Sequence, residues 1–241
     1  MNQATKHGIV AQPFGFPYDG RLRADTMAIM VIDVQSSFLA EDGYFALKGY
    51  DPSPLRRIIP NVDRIVRAAR VAGVKVIWTR QGYRGDLADL TAYERWRCQR
   101  AGISFEESGD DAVLTRSSSG HDIVPELVVG QGEPIVEKTA NNAFYQTDLD
   151  MILRTAKIEH LVFTGCTTEV CVHSTIREAA DRKYQCLLVD DACASSDAEM
   201  HRAAVKMITV EDGIFGTVCD TSSVVAGLES LAPGSQSAAN A

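Results

Sequence analysis

The stretch "HLVFTGCTTEVCV", residues 160–172, starts as an apolar run of strand length and ends as the opening of a helical pattern. Between the two halves Gly165 and a group of small polar residues mark a tight strand-to-helix junction. Working outward, the same alternation recurs along the chain. Val- and Ile-rich runs predict strands near 28–33, 75–79, 134–137, 159–165, 185–190 and 216–219. Helical spacing of apolar residues predicts helices near 60–71, 147–155 and 197–210, the first stopped by Gly73. Strands that alternate with helices argue for an α/β fold, a six-stranded and mostly parallel sheet with helices on both faces.

A chain of 241 residues is long for one domain but within the range of a single large α/β core, so residues 1–241 are read as one domain. Residues 1–20 read as an extended arm, and the polar ending "PGSQSAANA", 233–241, reads as disordered. The irregular excursion 81–126, broken by a helical pattern over 91–102, is long enough to suggest that it covers a site or meets a neighbouring subunit.

The formal charge of −8 disfavours nucleic acid and anionic membrane as partners and favours a small neutral or cationic ligand. No apolar run is long enough to cross a bilayer and no basic leader opens the chain, which predicts a cytoplasmic location. The six cysteines, Cys98, Cys166, Cys171, Cys186, Cys193 and Cys219, are scattered, and most of them read as small buried hydrophobes. With no Cys-x-x-Cys pair and no His-x-x-x-His spacing, zinc is a poor reading; no cofactor is expected.

In an open parallel sheet, ligands bind beyond the carboxyl ends of the strands. Three reactive side chains fall at such ends: Asp33 in "MVIDVQSSF", Lys138 in "PIVEKTANNAF" and Cys171 on the first turn after the fourth strand. Each has a plain alternative, as a helix cap, a solvated lysine or a packing cysteine. Their convergence on one sheet edge would permit cysteine chemistry. A helix amino terminus and an ammonium both favour the thiolate, and a carboxylate within reach takes and returns its proton. Backbone N–H groups of Thr167 and Cys171 would receive the oxyanion.

The stretches "MVIDVQSSF", "PIVEKTANNAF", "HLVFTGCTTEVCVHSTIREAADRKYQCLLVDDACAS" and "AAVKMITVEDGIFGTV" resemble the isochorismatase-like cysteine hydrolases over roughly residues 25–225. That resemblance implies a Rossmann-like strand order, a triad of Asp33, Lys138 and Cys171, and a cis peptide at Cys166-Thr167. The cysteine implies C–N bond cleavage, and a homotetramer is implied as well. In the metal-binding nicotinamidase branch, histidines follow the second strand; here "TRQGYRGDLADL" has none, so no metal is implied.

"PFGFPYDGRLR", "GYDPSPL" and "TRQGYRGDLADLTAYERWRCQR" are similar to the biuret hydrolase branch, whose members act on biuret, triuret and ureidoacrylate. The implied activity is hydrolysis of a terminal ureido C–N bond with release of ammonia through a thioester. Triuret and biuret are the foremost substrates; ureidoacrylate-type or other small-amide hydrolysis, or a silent ligand-binding role, is the alternative. Where that branch carries Gln, this chain has Glu211, an acceptor only, which predicts preference for an N–H-bearing end over a carboxylate end; the plain alternative is that Glu211 merely faces solvent. Gln35, Phe38, Tyr44, Arg80, Asn142 and Phe144, near strand ends, are further candidates to line the pocket. Cys166 is read as a loop residue without a chemical role.

Overall fold

The computed structural model describes residues 8–105 and 114–232. The predicted tail 233–241 and the first seven residues of the arm lie outside the described residues. Six strands, β1 (Met27–Ile32), β2 (Lys75–Gln81), β3 (Ile135–Lys138), β4 (His160–Cys166), β5 (Gln185–Ala194) and β6 (Thr217–Cys219), form one sheet in the order β3-β2-β1-β4-β5-β6. Every pairing between them is parallel. The order runs outward in both directions from between β1 and β4, so the crevice of a doubly wound sheet lies beyond the carboxyl ends of those two strands.

Alternation along the central strands divides the interior in two. Ile29, Val31, Val76 and Trp78 face one core together with Val62, Ile65 and Ala69 of α1 (Ile59–Val71). Ala28, Met30, Ile32 and Phe163 face the other. There they meet Leu149 and Leu153 of α3 (Leu149–Thr155), Ile176 and Ala179 of α4 (His173–Asp181) and Ile208 of α5 (Ala198–Ile208). Both faces of β1 are therefore fully covered, as its unbroken apolar sequence requires. Besides several single-turn helices, the described residues hold two more, α2 (Ala92–Gln99), closed at its start by a Thr91–Glu94 capping box, and α6 (Thr221–Leu231), which packs against α1.

The described part of the arm is folded in, because Ile9 and Phe16 are apolar enough to be worth burying and both are fully buried. Ile9 and Phe16 pair with each other, and Gln12 pairs antiparallel with Val218 at the outer edge of β6. The helix α6 was hidden by small residues, although Asp220 caps it by accepting the Ser223 N–H at 2.7 Å.

Among the described residues, no helix is long and apolar enough to cross a membrane.

Candidate active site

The register of the sheet brings the site together. Ile32 pairs with Gly165, and Gln81 pairs with Lys138, so Asp33 and the loop after β4 share one edge with the ends of β2 and β3. Gly165 makes the approach possible: it sits at φ +111°, and a Cβ there would lie 2.0 Å from the Ile32 carbonyl oxygen. Beyond Gly165 the Cys166-Thr167 peptide is cis, as the resemblance implied. The chain then makes one turn of π-helix over Thr168–Val172 before α4 begins, with the Val172 N–H reaching back to the Thr167 carbonyl at 3.2 Å. Cys171 thus stands on a widened turn, where the sequence had placed it on an ordinary helical one.

Asp33, Lys138 and Cys171 meet at this edge. Lys138 Nζ lies 2.6 Å from Asp33 Oδ2, and both side chains are wholly buried. The Cys171 sulfur interacts with both of them and donates to Gln81 Oε1 at 3.1 Å. Lys138 Nζ donates to the same oxygen at 3.0 Å and to the Ala140 carbonyl at 3.1 Å. Thr79 fixes the carboxylate: its hydroxyl donates to Asp33 Oδ1 and accepts the Asp33 backbone N–H at 3.1 Å. Asp33 itself is in the left-handed region at φ 49°, which a short polar side chain tolerates better than most.

The electrostatics correct one expectation. The thiolate was expected to be favoured, yet burial, with Asp33 adding to it and Lys138 opposing, pushes the Cys171 thiol up to about 12. The resting site is a neutral thiol beside an ion pair. For Lys138, burial alone would lower the pKa, but the Asp33 carboxylate and then the Cys171 sulfur carry it above its ordinary value, so the ammonium stays charged. Cys166 is also buried and its thiol is pushed well up, first by burial; its sulfur donates to the Asp33 carbonyl at 3.2 Å. All six cysteines are free.

A cavity of about 760 Å³ opens on Cys171 and is bordered by Thr167 of the same loop. The excursion 81–126 supplies much of its opposite wall through Tyr83, Tyr93, Glu94 and Arg97. Phe38 and Tyr44 line it as expected. The other candidates sit elsewhere. Glu211 is solvent-exposed in a left-handed turn after α5, at φ 52°, and is not part of the cavity wall, so the preference argued from it loses its basis. Arg80 is turned away from Thr79 and Gln81 by strand alternation and pairs with Glu137 and Asp122. Asn142 accepts the Phe144 N–H at 2.8 Å, while Phe144 stacks on Tyr184; it is Asn141 that borders the cavity. Gln35 is buried and holds Gln81 from behind, accepting its N–H at 2.7 Å and donating to its carbonyl at 3.1 Å.

Gln81 and Thr79 were missed. The signal was present, since they are the two positions of β2 that share one face at its carboxyl end. Gln81 joins the sulfur to the ammonium, so Gln81→Met is expected to lower kcat by about 10- to 100-fold, the loss of one hydrogen bond to a charged group. Steady-state kinetics of the purified variant check this.

Comparison with known proteins bears on the fold and the family. Residues 27–223 match the Isochorismatase domain. The ureidoacrylate amidohydrolase RutB of Methylorubrum extorquens is 30% identical over 230 residues, covering 93% of this chain and 91% of that protein. The protein of the same name from Serratia proteamaculans is 32% identical over 200 residues, 81% of this chain and 80% of its own length. Among solved structures, a cysteine hydrolase from Pseudomonas syringae pv. phaseolicola superposes with a TM-score of 0.75 at 26% identity, over 87% of this chain and 95% of its own. With the Isochorismatase domain matched across its whole sheet, this chain belongs to the isochorismatase family.

Proposed function

We propose that the chain is a cysteine-dependent amidohydrolase that cleaves the terminal C–N bond of a small ureido compound. The observation that carries this reading is the buried Asp33–Lys138 ion pair, 2.6 Å across, set beside the Cys171 sulfur at the floor of a cavity. Asp33 takes the thiol proton as the sulfur attacks the carbonyl carbon. Lys138, charged throughout, stabilises the thiolate as it forms, and a buried ammonium acts strongly because little water screens it. The Thr167 and Cys171 N–H groups receive the oxyanion. Collapse of the tetrahedral species breaks the C–N bond, ammonia leaves with the proton from Asp33, and a carbamoyl thioester remains. Water then hydrolyses the thioester to the carbamic acid and restores the thiol.

Within the ureido class, the branch-like stretches support triuret and biuret, and the relatives named ureidoacrylate amidohydrolase support a ureido acid. The proposal includes a cytoplasmic location and assembly into a homotetramer. Ammonia release across a panel of triuret, biuret, 3-ureidopropionate and simple alkylureas tests it; turnover of at least one ureido compound is expected, and none from the whole panel would favour a silent binding protein.

A further inference from the structure

Two cations in the cavity wall, Lys48 and Arg97, form no ion pair with a carboxylate among the described residues. Lys48 follows the short helical turn Tyr44–Leu47, and Arg97 belongs to α2, so the two arrive from separate parts of the chain. Both border the cavity and converge on Tyr44. Lys48 Nζ donates to the Tyr44 hydroxyl at 3.3 Å and lies 4.9 Å from the centre of its ring; Arg97 lies against the same hydroxyl. Arg70, Arg80 and Arg182 each hold a carboxylate, whereas neither Lys48 nor Arg97 has one within ion-pairing reach among the described residues. In a chain of net charge −8 that is not for want of acidic groups.

The carboxylate next to them in sequence is already engaged. Glu94 lies one turn before Arg97 on α2, but its Oε2 takes the Thr91 N–H at 3.1 Å and hydroxyl at 2.7 Å, and its Oε1 takes the Tyr83 hydroxyl at 3.3 Å. The opposite polarity is found across the cavity, on the nucleophile loop. Glu169 borders the cavity beside Cys166 and Cys171, and its Oε2 is buried with no hydrogen-bond partner among the described residues. A buried acceptor without a donor is costly and is satisfied by a ligand that brings N–H groups.

We infer that this cavity is built for ureido acids: the ureido N–H groups lie against Glu169 at the Cys171 loop, and a terminal carboxylate is held between Lys48, Arg97 and the Tyr44 hydroxyl. The inference rests on the proposed hydrolase reading and narrows it, and it reverses the preference argued from Glu211. Charge-assisted hydrogen bonds from two cations are strong, and a half-buried lysine is less screened than a surface one. Lys48 is the half-buried member, while Arg97 is exposed at the mouth.

The experiment compares 3-ureidopropionate with isopentylurea, which has the same shape with two methyl groups in place of the carboxylate oxygens. The native protein is expected to favour the acid by at least about tenfold in kcat/KM, mainly through KM, and to favour it over biuret and triuret. In Lys48→Met, in Arg97→Met and most of all in the double variant, the ratio of acid to neutral urea should fall toward one. Equal or better turnover of the neutral ureas by the native protein would overturn the inference, as would a ratio that survives in the double variant. Calorimetric binding to Cys171→Ala separates this from the underlying reading. Should no urea release ammonia, the hydrolase reading fails, while tighter binding of 3-ureidopropionate than of isopentylurea supports the carboxylate site and equal binding overturns it.

Discussion

Cys171→Ala is expected to reduce kcat by about ten-thousand-fold or more while the protein keeps its fold and its ligand affinity. The size of the effect follows from the role: removing a nucleophile leaves only binding and oxyanion stabilisation, and catalytic groups that act as a unit do not substitute for one another. The structural cost is small. Cys171 is buried, but it is a small side chain on a turn beside an open cavity, so its loss removes one sulfur with its contacts to Gln81 and to the Asp33–Lys138 pair, which keep each other. Cys171→Ser gives a second form of the same result. The hydroxyl can still donate to Gln81 Oε1, so folding is undisturbed, yet an alcohol is a far weaker nucleophile in the absence of a histidine base. Ammonia release, measured beside circular dichroism and ligand binding, checks both variants.

Lys138→Met is expected to cost stability as well as activity. Lys138 and Asp33 are both wholly buried and face each other at 2.6 Å. Removing the ammonium leaves a carboxylate in the interior with the Thr79 hydroxyl and the Cys171 thiol as neutral partners and no countercharge. Breaking a buried pair in this way typically costs about 3–5 kcal/mol, read as a lower denaturation midpoint. Removing both charges should behave differently. In Asp33→Asn with Lys138→Met, no charge is left stranded, and asparagine accepts the left-handed backbone at position 33, so much of the lost stability should return. Activity should not return with it, because the proton acceptor and the ammonium are both gone. Urea denaturation and ammonia release of the three variants form the test; a double variant no more stable than Lys138→Met would mean that the pair contributes by packing.

These expectations rest on residues that were largely legible in the sequence. The strand cores were visible because central parallel strands are apolar on both faces, and the reactive residues were visible because they stand where those apolar runs stop. The ends of strands were less visible. Arg80 and Gln81 extend β2, and the exposed Asp190 and Asp191 lie within β5, so polarity there disguised continuing strand. That disguise hid Gln81 and made Arg80 look like the pocket residue. The charge state of Cys171 was not legible at all. Spacing showed that an ammonium would be near, but the desolvation that outweighs it depends on how completely the loop after β4 closes over the sulfur. Glu211 failed for a related reason: its motif position was clear, while the direction of the left-handed turn that carries it belongs to the tertiary structure.

The central claim is that the Cys171 sulfur forms a covalent bond to the substrate carbonyl carbon, with Asp33 and Lys138 managing proton and charge. Rapid acid quench of the protein turning over a ureido compound, followed by intact-mass and peptide-mass measurement, tests it most directly. A thioester adduct on the peptide containing Cys171, absent from Cys171→Ala, is the result this account predicts. Steady turnover in which no adduct forms, or an adduct on another residue, would contradict it.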